Sequence, residues 1–119
     1  MELNEAAICL EKLGNPTRLE IFRLLVKAGN QGLSVGEIQE HLGVPASTLS
    51  HHVSQLLHAG LLRQDREGRV LRCSPNWDLM NRLIQYLTSE CCILAEPDKE
   101  LKRNEEGEVD SSEYRSVAG

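Results

Sequence analysis

A mainly α-helical fold closed by a single β-hairpin is predicted by three observations. Four consecutive segments carry helix start and stop residues, the pattern then switches to short strands between Leu61 and Ser74, and helical spacing returns afterwards. The 119 residues are 40% hydrophobic but only 3% aromatic, so the core must be built mostly from Leu, Ile, Val and Ala. A chain of this length supports one small domain.

The elements follow in order. Asn4 is read as the cap of a first helix that runs to about Leu13. In "GNPTRLEIFRLLVKAG", Asn15 caps a second helix, Pro16 takes its first position and Gly29 its exit. Its apolar set of Leu19, Ile21, Phe22, Leu24, Leu25 and Val26 is broad enough for a central place in the core. Ser34 and Glu37 stand at capping-box spacing ahead of a third helix that ends near Gly43. Pro45 and Ala46 lead into a fourth, "STLSHHVSQLLHAG", closed by Gly60. "LLRQDR" and "RVLRCS" read as strands around a Glu67-Gly68 turn. Ser74 and Pro75 then restart a fifth helix through Trp77, Leu79, Met80, Leu83, Ile84, Leu87 and Cys91. Two helices joined by a short link, followed by a two-stranded hairpin, make a winged helix-turn-helix of five helices. Residues 1–95 form this domain, and 96–119, rich in charge and poor in apolar residues, are expected to be a disordered acidic tail.

No apolar run approaches the length needed to span a bilayer. The opening "MELNEAAICLEKLG" has acids and no basic stretch, which does not match a secretory signal. A cytoplasmic location is therefore expected, where four cysteines are thiols, ligands or sensors rather than a disulfide framework.

The net charge of −5 argues against a polyanion partner until it is mapped. Residues 1–95 hold 9 Lys+Arg and 10 Asp+Glu; residues 96–119 hold 4 and 8. Within 61–72, Arg63, Arg66, Arg69 and Arg72 face only Asp65 and Glu67. The local field of the hairpin is positive, and local field decides nucleic-acid contact. On the fourth helix, Leu49, Val53, Leu56 and Leu57 share one side, while Ser47, Thr48, His51, Ser54, Gln55 and His58 share the other. A solvated face ordinarily carries Glu and Lys. One with small donors and no carboxylate suits the major groove of double-stranded DNA. Ser47, Thr48, His51 and Gln55 are the candidate base and backbone contacts, with Arg66 and Arg69 beside the turn as phosphate or minor-groove contacts. His52, at the edge of the apolar side, reads as a packed histidine bonded to a backbone carbonyl.

Among the cysteines, Cys9 packs with Ala6 and Leu13 and suits a dimer interface, Cys73 suits a core position under the hairpin, and Cys91 extends the apolar stripe of the last helix. Cys92 is turned about 100° from Cys91 toward a polar side, with no packing reason to be there. Two adjacent thiols without a nearby imidazole favour a thiophilic ion. The spacing 9, 73, 91, 92 has no zinc-finger form. A redox or sulfane-sulfur sensor is the alternative; adjacent cysteines make a strained disulfide, so Cys9 with Cys91 or Cys92 is its better couple. A thiol enzyme would want Cys-x-x-Cys or a Cys/His/Asp arrangement, and the chain has neither, so no enzymatic activity is expected.

"STLSHHVSQLLHAGLLRQDREGRVLRC", with "LGNPTRLEIFRLL" ahead of it, resembles the ArsR/SmtB family of bacterial winged-helix metalloregulators over roughly residues 5–92. The resemblance implies a homodimeric repressor that binds a palindromic operator and lets go when an inducer binds, with no resident cofactor. It also implies dimerisation through the first and last helices. Their apolar stripes, Leu3, Ala6, Ala7, Leu10 and Leu13, and Met80, Leu83, Ile84, Leu87 and Cys91, agree with that. The Cys-Val-Cys pair of many family members is missing from "LSVGEIQEHL", and the last helix has no His for the family's zinc site. "SECC" is similar to the subset that places a vicinal cysteine pair at the end of the last helix. That likeness implies trivalent arsenic (arsenite, methylarsenite) or antimonite on Cys91 and Cys92, with Cys73 or Cys9 as the candidate third ligand.

Overall fold

A computed structural model describes residues 1–95. The chain divides into two units at Leu87/Thr88. The last buried apolar residue of the first unit is Leu83, and the residues from Leu87 to Leu94 are all exposed. The acidic segment 96–119 lies outside the described residues.

The elements are, in order, α1 (Leu3–Leu13), α2 (Pro16–Ala28), β1 (Leu33–Ser34), α3 (Val35–Leu42), α4 (Ala46–His58), β2 (Leu62–Glu67), β3 (Val70–Pro75) and α5 (Trp77–Thr88), and apart from β1 they follow the predicted order. This is a winged helix-turn-helix with five α-helices. Helix α2 sits at its centre, in contact with α1, α3, α4 and β3. Ile21, Phe22 and Leu25 are buried there among Leu49, Val53 and Leu56 of α4, Ile38 of α3 and Cys73 of β3. Leu19 and Val26 of the same helix remain exposed, so its apolar face is narrower than its sequence suggests. No helix among the described residues is long and apolar enough to cross a membrane.

The local signals around α2 and α3 act as their chemistry requires. The Asn15 side chain accepts from the Arg18 amide at 3.1 Å. Ser34 and Glu37 form a reciprocal capping box, at 3.1 Å from the Glu37 amide to the Ser34 hydroxyl and 2.9 Å from the Ser34 amide to the Glu37 carboxylate. Three boundaries differ from expectation. Glu2, not Asn4, caps α1: its amide donates to the Glu5 carboxylate at 3.4 Å, and a carboxylate pair near the helix start complements the dipole. The hairpin pairs Glu67 with Val70, so its two-residue turn is Gly68-Arg69, one position later than expected. Ser74 and Pro75 belong to β3, and Asn76 starts α5 by accepting the Leu79 amide at 3.3 Å and donating to the Gly60 carbonyl at 2.8 Å.

The sheet also has a third strand that the sequence does not announce. β1 is two residues long and pairs antiparallel with β3, Leu33 opposite Cys73 and Ser34 opposite Arg72, in the order β1-β3-β2. Gly32 makes this possible. Its φ is +69°, and a Cβ there would stand 2.4 Å from the Cys73 carbonyl oxygen. Gly43, also at positive φ (+68°), faces open space at the end of α3.

These two glycines separate two costs. Gly32→Ala must distort the backbone and push strands apart, and is expected to lose at least about 2 kcal/mol of stability. Gly43→Ala meets only the conformational penalty, about 1 kcal/mol. Urea unfolding followed by circular dichroism, with comparable slopes, checks the difference.

Candidate functional site

Helix α4 is held against the core by Leu49, Val53 and Leu56, which leaves the opposite side outward. Ser47, Thr48 and His51 are exposed together in its first half; Ser54 and Gln55 are half-buried in its second, and His58 is exposed. His58 is turned back on its own helix, its Nδ1 lying 2.9 Å from the Ser54 carbonyl oxygen. Gln55 is also engaged: its side-chain oxygen accepts from Lys12 Nζ at 2.6 Å.

That contact belongs to a polar cluster joining α1, α2 and α4. Arg18 Nε donates to the Lys12 carbonyl at 2.6 Å, and Arg18 Nη1 lies 3.4 Å from His52 Nδ1. The partner of His52 is therefore a guanidinium, not the backbone carbonyl expected from sequence. A guanidinium only donates, so in this contact Nδ1 is the acceptor, which favours the uncharged ring. Burial, then the positive Arg18, then His51 push the His52 pKa below its usual value. Sequence reading missed Lys12 and Arg18; their only signal was spacing on α1 and α2, which does not show what lies across from them.

The hairpin arginines divide into two kinds. Arg72 is a structural clamp: its guanidinium meets Glu37 at 3.2 Å, Glu67 at 3.4 Å and the Gly32 carbonyl at 3.4 Å. The Glu37 carboxyl is held below its usual range, first by the Ser34 backbone amide, with the Ser34 hydroxyl and Arg72 adding to it. Arg63, Arg66 and Arg69 are exposed and have no ion pair among the described residues. Arg69 stands in the turn itself.

The four cysteines also divide. Cys9 and Cys73 are 1% and 0% exposed, inside the core of the first unit. Burial pushes both thiols up in pKa, and the Gln64 amide points at the Cys73 sulfur from 3.6 Å. Cys9 thus packs within its own chain rather than waiting at a dimer surface. Cys91 and Cys92 are exposed, not joined in a disulfide, and lie in the second unit. Cys91 does not continue α5, which ends at Thr88. Glu90 and Cys92 take positive φ, 58° and 67°, and the segment turns twice, Ile93 N–H to the Glu90 carbonyl and Ala95 N–H to the Cys92 carbonyl. The two sulfurs are 3.0 Å apart. Among the described residues no group of three or more His, Cys, Asp or Glu side chains is placed to hold a metal ion.

Comparison with known proteins places these features in context. A helix-turn-helix domain family matches residues 13–65. The chain is 30% identical over 88 residues to the HTH-type transcriptional regulator YgaV of Escherichia coli K12, covering 74% of this chain and 87% of that one. It is 42% identical over 60 residues to a putative arsenical resistance operon repressor, ArsR, of Halobacterium salinarum, covering 50% and 46%. The structure of an ArsR-like transcriptional regulator from Rhodococcus sp. RHA1 superposes with a TM-score of 0.64 at 25% identity, over 87% of this chain and 92% of that one. The relatives are transcriptional regulators, not enzymes.

The lowered pKa of His52, half-buried beside Arg18, has a pH signature. The unfolded ring takes up a proton near pH 6.5, while the folded ring does so only at lower pH. Its contribution is complete above the unfolded value and is lost as pH falls through the folded one. Wild-type stability is expected to decline below about pH 6.5, and His52→Gln to flatten that decline in urea titrations at stepped pH.

Proposed function

The chain belongs to the ArsR family of winged helix-turn-helix transcriptional regulators, and from that membership we propose that it is a repressor that binds a palindromic operator as a homodimer and releases it when a trivalent arsenical binds Cys91 and Cys92. The observation that carries the DNA half is the exposed, carboxylate-free face of α4 at Ser47, Thr48 and His51, in a domain whose hairpin offers Arg63, Arg66 and Arg69 without ion pairs among the described residues. Hydroxyls and an imidazole offer hydrogen bonds to base edges and phosphate oxygens, and the arginines neutralise phosphate. Gln55 joins the same face, through the amide hydrogens that Lys12 leaves available.

The dimer reading is supported by apolar surface. Leu3, Ile8 and Leu10 on α1, and Ile84 and Leu87 on α5, are 44–69% exposed. Ala6, Cys9 and Leu83 turn into the chain's own core, so each stripe splits into a core-facing edge and a solvent-exposed edge. A second copy would cover the exposed edges. Two copies would present two α4 helices to successive major grooves, roughly 10 bp apart.

The inducer reading follows from the thiols. Cys91 and Cys92 are accessible, and their sulfurs are already neighbours; Cys9 and Cys73 are enclosed. A two-sulfur site favours a methylated trivalent arsenical over arsenite, because the methyl group occupies the position of a third sulfur. Each thiol proton leaves with an arsenic hydroxyl as water while an As–S bond forms. A Halobacterium relative bears the name of an arsenical resistance repressor. The redox alternative is disfavoured because its better couple needs Cys9, which is buried.

Two outcomes are expected. Arg69→Ala weakens operator binding about equally across sequences and lowers the salt slope by about one, read by fluorescence anisotropy over a salt series. Methylarsenite releases operator DNA from wild type, Cys9→Ser and Cys73→Ser but not from Cys91→Ser or Cys92→Ser, read by electrophoretic shift. Unimpaired release from the last two removes the thiol pair from the mechanism.

A further inference from the structure

Gln55 is half-buried, on the outward side of α4, and its side-chain amide is not free to choose its orientation. Lys12 reaches it from α1, with Nζ 2.6 Å from the Gln55 oxygen and 3.7 Å from a Glu11 carboxylate oxygen. An ammonium has donors only, so the amide oxygen must be the atom facing Lys12, and the NH2 group is the atom left over. Lys12 is itself positioned. Its backbone carbonyl takes the Arg18 guanidinium at 2.6 Å, which ties the end of α1 to the start of α2, and its side chain is only 25% exposed.

The consequence concerns base readout and rests on the proposal that α4 reads DNA. An unconstrained glutamine pairs with adenine in two places: its oxygen accepts from N6 and its NH2 donates to N7. Here the oxygen sits against a positive charge. It keeps a second lone pair, but adenine N6–H2 approaching it also meets the ammonium, and that like-charge approach disfavours the adenine pairing. Guanine presents N7 and O6, both acceptors, on the same edge. The Gln55 NH2 and the adjacent ammonium match two acceptors and mismatch a donor. We propose that Lys12 is a specificity-determining residue: by holding the Gln55 oxygen it biases Gln55 from adenine toward guanine, which takes hydrogen bonds from the Gln55 NH2 and the ammonium.

The test uses the full-length protein and a library of operator duplexes randomised across the half-site. The base pair read by Gln55 is identified as the one whose preference disappears in Gln55→Ala. At that base pair wild type is expected to favour guanine over adenine. Lys12→Met, which keeps the chain length and removes the donors, is expected to shift the guanine-to-adenine ratio toward adenine by at least about fivefold, within what one bidentate contact contributes. Lys12→Arg, still a donor-only cation, retains the wild-type preference. In the Gln55→Ala background, Lys12→Met leaves the ratio at that base pair unchanged. A general loss of affinity in Lys12→Met is the effect of a lost charge and does not move the ratio. An unchanged ratio in a protein that still binds its operator overturns the assignment to Lys12 alone. A wild-type preference for adenine does the same. Failure of wild type to bind any duplex specifically overturns both this inference and the DNA-reading role of α4.

Discussion

The constraint that organises this molecule is the scarcity of bulk. With one phenylalanine, one tryptophan and two tyrosines in 119 residues, the core has to be assembled from aliphatic side chains around a single central helix. α2 fills that place, and every other element of the first unit is positioned by what it buries against Ile21, Phe22 and Leu25 or the neighbours of those residues. The direction of α4 follows from this. Once Leu49, Val53 and Leu56 turn inward, the side chains between them have nowhere to go but out. The candidate reading surface is thus a by-product of core packing. Substitutions in its polar half leave the fold largely alone, while those in its apolar half change both.

The polar cluster of Lys12, Arg18, His52 and Gln55 runs along the seam where α1, α2 and α4 meet. Its members come from three helices, with Lys12 and Arg18 on either side of the short link Gly14–Asn15. The cluster adds direction to a seam that aliphatic packing alone leaves tolerant of small slides. It also connects α1, a helix with exposed apolar residues suited to a second copy, to the helix that carries the reading face.

Much of the architecture was legible in the sequence. Local chemistry did that work: Asn15 with Pro16, the Ser34/Glu37 box, Gly43 and Gly60, and the change of period after Leu61 are signals whose physical meaning does not depend on distant residues. What could not be read were features created by contacts across the chain. A two-residue strand such as β1 has no period to detect; it exists because Gly32 lets the backbone approach Cys73. Arg72 and Arg69 look alike as letters, yet one is enclosed by Glu37 and Glu67 and the other stands in the turn. The boundary of α5 was misplaced for a similar reason. Leucine spacing continues to Leu87 and Cys91 matches it, but the positive φ of Glu90 and Cys92 ends the helical run. The exposure of Ser47, Thr48 and His51 was legible because the helical period puts them opposite Leu49, Val53 and Leu56.

Ser34 has two duties at once. It ends β1, opposite Arg72 of β3, and its hydroxyl and amide cap α3. The same residue is therefore shared between the sheet that carries the hairpin and the first helix of the helix-turn-helix, with Arg72 locking Glu37 from the other side. No residue separates β1 from α3, so a shift of the hairpin sheet is passed directly to the start of α3. α4 follows a further link, residues 43–45, and it is there, not at Ser34, that the two helices can be re-angled.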